Sequence, residues 1–221
     1  MLLIDLQKSY DSVDRQKLLN IIDSRARTES DKRISHLIRM LHENNEIMVG
    51  QEMINLNFGI AQGSVLAPYL FNIYLEEALN SCDVFKELIV RKDLLAYADD
   101  ITMFTKNDME IGRVVQGFRQ MEQLFNMRIN LKKCEILRIK GGNNNIKQIE
   151  GIEVKDNVKY LGMRLVADRQ QQKREVDQQI RRNLGFLKWK LRFADSMVME
   201  TLINSFGRSL LIYLGTPMVA G

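Results

Sequence analysis

Cysteine, proline and histidine each occur only twice in 221 residues, and tryptophan once. Cys82 and Cys134 lie far apart, outside any CxxC or Cys/His cluster, which argues against a disulfide framework and a structural zinc site and suits a reducing compartment. His36 and His42 are six residues apart, off the spacing that lets two helical histidines share an ion, and carry no assignment. No apolar run approaches the roughly 18 residues that a bilayer-spanning helix needs. The opening MLLIDLQKSYD also lacks the basic region and long apolar core of a signal peptide, so no membrane partner is expected. With 45% hydrophobic and 27% charged residues, the composition is that of a globular protein long enough to bury a full core.

Charge of one sign is scarce overall, at +4, but it is unevenly placed. Between Arg169 and Arg192 eight basic residues face only Glu175 and Asp177, a local +6 that leaves the rest slightly acidic. In that stretch Val176, Ile180, Leu184, Leu187 and Leu191 share one helical face, with Arg174, Arg181, Lys188 and Arg192 about a quarter turn away. One helix packs there and offers cations along its flank, as a polyanion-binding surface or a solvated face would. Trp189 sits among these cations and is read as a packing residue.

The upstream pattern alternates irregularly. A strand is expected over Leu2–Leu6, and helices over Asp14–Asp23, from an N-cap at Ser30 to Asn44, and over Pro68–Ser81 and Asp108–Met127. A hairpin is expected over Ile47–Leu56, a loop and strand over Ile129–Ile139, and a strand over Val158–Leu161. Asp11 and Asp14 are read as turn or cap residues. Short strands mixed with helices and hairpins predict an α+β fold on an antiparallel sheet, with no internal repeat.

The stretch Leu94 to Phe104, LLAYADDITMF, stands apart. Two apolar runs, Leu94–Ala98 and Ile101–Thr105, are expected to be mostly buried strands, and they flank Asp99 and Asp100 without a Gly or Asn to ease the turn. Neighbouring carboxylates at a buried tip repel each other and lose hydration, so one takes a proton or a cation sits beside them; a turn aspartate is the plainer alternative. Asp5, at the end of its own strand, could lie beside that tip. Three converging carboxylates could hold two divalent ions about 3.5 to 4 Å apart, as in-line displacement at phosphorus requires.

Several stretches, taken in order, resemble the palm of reverse transcriptases, most closely those of non-LTR (LINE-type) retrotransposons. IDLQKSYDSVDR, from Ile4 to Arg15, is similar to the first palm motif; the resemblance implies that Asp5 binds metal and that Tyr10 guards the sugar 2′ position. GIAQGSVLAPYLFNIY, from Gly59 to Tyr74, is similar to the second, in which Gln62 and Gly63 would contact template and incoming nucleotide. Tyr97 to Asp100 resembles the YADD metal box, in which Tyr97 would also lie beside nucleotide or template. Ile129–Leu137 resembles the lysine-containing fourth motif, with Lys133 as its lysine and a proton donor to pyrophosphate. VKYLG, from Val158 to Gly162, resembles the primer grip, giving Tyr160, Leu161 and Gly162. YADD alone is a weak signal; QGSVLAP with LFNIY between two further motifs in the family's order is a strong one.

The resemblance runs from about residue 2 to 165 and implies a palm over residues 1–165 with catalytic Asp5, Asp99, Asp100 and Lys133. Beyond it the basic helix and an apolar tail suggest a helical thumb-like segment over 166–221, with cationic contacts to nucleic-acid backbone from Arg174, Arg181, Lys188 and Arg192. It implies Mg2+ as cofactor, two ions held by Asp5, Asp99 and Asp100, with Mn2+ as a substitute. The partners would be an RNA template, a DNA primer and deoxynucleoside triphosphates. Two positions depart from the family: Ala67 stands where Ser is usual and Ser9 where Ala is usual. Only four residues precede Asp5, so the fingers that clamp the triphosphate are expected to be missing or supplied by a partner protein. The expected activity is RNA-directed DNA polymerisation; the alternatives are a catalytically idle RNA-binding subunit of a larger particle and an intron maturase.

Overall fold

A computed structural model of the chain describes residues 1–42, 46–61, 63–139, 146–160 and 162–191, without the side chains of 47, 49, 54, 169 and 183–191. Gln62, Leu161 and Arg192 lie outside the described residues, as do the side chains of Lys188 and Trp189. The chain forms two compact units, Met1–Ile136 with Ile146–Val154, and Leu137–Asn145 with Lys155–Gly221.

The first unit runs β1 (Leu2–Asp5), α1 (Arg15–Arg25), α2 (Glu29–His42), β2 (Glu46–Val49), β3 (Glu52–Asn55), α3 (Ala67–Asn80), α4 (Asp83–Val90), β4 (Leu94–Tyr97), β5 (Asp100–Met103), α5 (Asp108–Phe125), β6 (Glu135–Leu137), β7 (Gln148–Ile149) and β8 (Ile152–Lys155). Six strands form one sheet in the order β4-β5-β1-β6-β8-β7, and β2 and β3 form a separate hairpin. The pairs β4–β5, β5–β1 and β1–β6 are antiparallel. The fold is therefore the mixed α+β architecture that the alternation predicts.

Period-two alternation decides what each face of the sheet does. Leu2 and Ile4 of β1 are buried, with their β5 partners Met103 and Ile101. They join one hydrophobic cluster with Leu18 of α1, Phe71 and Tyr74 of α3, Phe85 of α4 and Phe118 of α5. Leu3 and Asp5 occupy the other face, opposite Thr102 and Asp100.

Helix ends follow local chemistry. Asp14 caps α1 by accepting from the Lys17 N–H at 2.9 Å, and Asn107 caps α5 by accepting from the Glu110 N–H at 2.9 Å. Helix α2 starts at Glu29 and not after Ser30, because Thr28 and Asp31 cap it reciprocally: the Asp31 N–H donates to the Thr28 hydroxyl at 3.1 Å, and the Thr28 N–H to the Asp31 carboxylate at 2.8 Å. The apolar stripe of α2 faces out, with Leu37 58% and Leu41 62% exposed.

In the second unit β9 (Asn157–Tyr160) and β10 (Met163–Val166) form a hairpin ahead of α6 (Arg169–Leu191). Its tip contains Gly162 at φ +80, where a side chain would be strained. Glutamines fasten the helix to the hairpin: Gln179 donates to the Gly162 carbonyl at 3.0 Å, and Gln172 accepts from the Val166 N–H at 2.8 Å and donates to the Arg164 carbonyl at 3.1 Å.

Three short elements, α4, β10 and the β7–β8 hairpin, have no counterpart in the sequence pattern. Eight residues of α4 carry too little periodicity to stand out, and packing makes the helix: Val84, Phe85 and Leu88 are buried, and the Phe85 and Phe118 rings lie 4.8 Å apart. A second correction concerns β4. Its apolar run predicts a mostly buried strand, but it is the edge strand, and Leu95 and Tyr97 are exposed.

Candidate active site

The carboxylates are brought together by register. Tyr97 pairs with Asp100 across β4 and β5, and Asp100 pairs with Asp5 across β5 and β1, so the three residues form a row across adjacent strands on one face. Residues directly opposite in this way have Cβ atoms about 5 Å apart. The two-residue loop between the paired ends is Ala98-Asp99, and Ala98 holds φ 53, a left-handed conformation that an alanine adopts with strain. The turn that lacks a Gly or Asn thus carries its cost at Ala98.

The electrostatics of the row are unfavourable as it stands. Burial, then the charge of Asp99, then that of Asp5 push the Asp100 carboxyl above the usual carboxylate range. Lys133 lies beside Asp5, with Nζ 3.9 Å from Oδ2, but both side chains are well exposed, so the pair contributes little. Ser9, itself buried, donates from its hydroxyl to Asp99 Oδ2 at 3.4 Å. The Cys134 thiol beside the row is buried, and that burial pushes its pKa up.

Oxygen-only, acidic groups that repel one another suit a hard divalent cation, which would relieve the field that raises Asp100. In the geometry described, however, the carboxylates do not close up: among the described residues no three His, Cys, Asp or Glu stand close enough to hold an ion.

Tyr10 stacks on Phe71 of α3, with ring centroids 4.7 Å apart at 20°. Burial, and secondly the Asp99 charge, push its phenol above the ordinary value. A groove of about 600 Å³ opens beside it, lined in part by Tyr10, Asn72, Glu76, Tyr97 and Ala98. The backbone of residues 10–15 is laced to that of 57–60. The Ile60 N–H donates to the Tyr10 carbonyl at 3.0 Å, the Gly59 N–H to that of Val13 at 2.8 Å, and the Arg15 N–H to that of Asn57 at 3.1 Å. Gly63 follows at φ +88. The first and second motifs, far apart in sequence, are thus one local structure.

Asp5, Tyr10, Tyr97, Asp99, Asp100 and Lys133 therefore gather in the first unit. Tyr160 is half-buried and Gly162 exposed in the second, where Arg174 and Arg181 project from α6 and Val176 is buried. Three side chains around the site escape a reading of the sequence. Ser9 is visible there only as an unusual residue, whereas Phe71 and Arg15 have partners far away in the chain that no local pattern reveals.

Residues 1–165 match the family model of the reverse transcriptase (RNA-dependent DNA polymerase). Among solved structures, the fold is similar to that of apo telomerase from Candida tropicalis truncated from the C-terminal domain, with a TM-score of 0.54 and 17% identity. That similarity covers 75% of this chain and 33% of the telomerase chain. The family match spans the row of carboxylates, the Tyr10 stack and the loop laced to it, and by that match the chain belongs to the reverse transcriptase family.

Proposed function

We propose that the chain provides the palm, over residues 1–165, and a thumb-like helical segment, over 166–221, of an RNA-directed DNA polymerase of the non-LTR, LINE-type group. It joins deoxynucleotides to a primer 3′ hydroxyl on an RNA template. The observation that carries this reading is the register that places Asp5 and Asp100 side by side with Asp99 at the adjoining turn. Asp5, Asp99 and Asp100 would hold Mg2+, as two ions, or Mn2+ in its place. Bound there, the metal would lower the pKa of the attacking hydroxyl and steady the leaving pyrophosphate.

The remaining roles belong to the chain's own groups. Tyr10, braced by Phe71, limits the space beside the sugar 2′ position and favours deoxyribonucleotides. Gln62 and Gly63 contact template and incoming nucleotide, with Tyr97 beside them, and Lys133 supplies a proton to pyrophosphate. Tyr160, Leu161 and Gly162 hold the primer end. Arg174, Arg181, Lys188 and Arg192 contact backbone phosphates; the exposed guanidinium groups of Arg174 and Arg181 support this.

A second reading, a catalytically idle RNA-binding subunit of a larger particle, draws on the exposed Arg174 and Arg181 of α6, which would bind RNA without any chemistry. Extension of a DNA primer on an RNA template separates the two. The polymerase reading predicts incorporation in Mg2+, with greater ribonucleotide use by Tyr10→Val. Tight binding of the RNA–DNA hybrid with no incorporation and no Mn2+ binding by electron paramagnetic resonance would establish the second.

A further inference from the structure

We infer that Arg15 is a positioning residue that fixes the nucleotide- and template-contacting loop by holding the Gly59 carbonyl; what the loop touches rests on the polymerase reading. Arg15 opens α1 immediately after its Asp14 cap, and its Nε donates to the Gly59 carbonyl oxygen at 2.6 Å. The guanidinium is half-buried, and burial pulls its pKa below the ordinary arginine value. Its Nη1 is buried without a hydrogen-bond partner among the described residues.

A partly desolvated cation whose Nη1 is buried without a partner among the described residues opposes folding. A methionine would fill the same space without that cost, so the guanidinium is explained by what its charge-assisted bond to the Gly59 carbonyl achieves. That bond falls on a residue already gripped from its other side, because the Gly59 N–H donates to the Val13 carbonyl. Gly59 sits at φ +88, and a Cβ there would stand 3.4 Å from the Asp11 Cα and 3.5 Å from its carbonyl oxygen. The next residue, Ile60, is buried and bonded to the Tyr10 carbonyl.

The described segment from Gly59 to Ala61 is thus suspended from a glycine whose N–H and C=O are both held by the segment that carries Tyr10. Main-chain bonds set the path of the segment, and Arg15 sets the orientation of the peptide plane that follows Gly59. The sugar-facing tyrosine and the template loop are therefore positioned as one body.

Hydrogen exchange on the full chain tests this in Arg15→Met and Arg15→Lys. In Arg15→Met the amides of residues 59–66 should exchange about tenfold or more faster, the scale of one lost hydrogen bond to a charged group. Those of α5 and β1 should be unchanged, and Arg15→Lys should recover part of the protection. In primer extension Arg15→Met should raise KM for the nucleotide with kcat held within about threefold, since ground-state placement is what is lost. Unchanged exchange over 59–66, or equal loss of protection across the whole first unit, overturns the assignment. Exchange reads Arg15 whether or not the chain polymerises, so failure of the polymerase reading would appear separately, as absent incorporation with the exchange effect intact.

Discussion

Among single residues, Asp100 and Ala98 bear the cost of assembling the site. The Asp100 carboxyl is held above its ordinary range by burial and by two neighbouring carboxylates. A carboxyl raised in the folded state favours folding most below its unfolded pKa, and that contribution is lost as pH rises through the folded value. At neutral pH the repulsion is therefore fully present in the metal-free chain. Asp100→Asn should stabilise it at pH 7, by less than about 1 kcal/mol given the exposure of the group. The gain should shrink toward zero as pH falls from the raised folded value to the ordinary carboxylate value. Thermal melts of the two proteins from pH 3 to pH 7 check this; a gain that grows on acidification would contradict the assigned cause.

The strain at Ala98 is measurable in the same way. Glycine adopts φ 53 freely, so Ala98→Gly should raise stability by about 0.5 kcal/mol, the relief of the left-handed alanine less the added entropy of glycine. Denaturant titration with an unchanged m-value would report it. A loss of stability would mean that the Ala98 methyl packs well enough to outweigh its backbone.

Among the helices and strands, α4 and α5 show what a sequence can and cannot reveal. The long amphipathic α5 is plain in its spacing, and the paired carboxylates of the β4–β5 loop are plain in their oddity. Helix α4 is not, because its eight residues are held by a notch in α5 that only the fold creates. At Gly117 an added Cβ would lie 2.7 Å from Val84 Cγ1 and 3.0 Å from Phe85 Cζ. Gly117→Ala should therefore destabilise by about 1 to 3 kcal/mol even though alanine is the better helix former. Calorimetry on the variant checks this, and a stabilised protein would show that α4 slides aside at little cost.

The edge position of β4 is hidden for a related reason. Apolar composition signals a strand, but only the sheet order shows which strand is left at the rim. Asp5 is legible as the end of a strand; that it faces Asp100 depends on register between strands distant in sequence. Arg15 and Phe71 are illegible for the same reason, since each acts on a residue in a distant motif.

Across the molecule as a whole, two surfaces carry expectations. The outward face of α2 exposes Leu37 and Leu41, and β3 exposes Met53. An apolar surface of this kind favours association. Leu37→Glu with Leu41→Glu should lower concentration-dependent self-association, read by sedimentation velocity, while shifting stability by under about 0.5 kcal/mol because neither side chain is buried. On α6, replacing Arg174 and Arg181 by Gln should weaken binding to RNA–DNA hybrids of any sequence. It should also flatten the salt dependence by up to about one unit of slope for each phosphate that is no longer neutralised.

In the proposed polymerase, Asp5, Asp99 and Asp100 together carry nucleotidyl transfer, and the rate of template-directed incorporation by Asp99→Asn beside the unaltered chain tests that directly. Asn fills the same space and removes one charge from an exposed turn, so the fold should persist, as a melt would verify. Incorporation is predicted to fall below a few per cent of the unaltered rate. A folded Asp99→Asn protein that extends the primer at a substantial fraction of that rate would contradict the assignment.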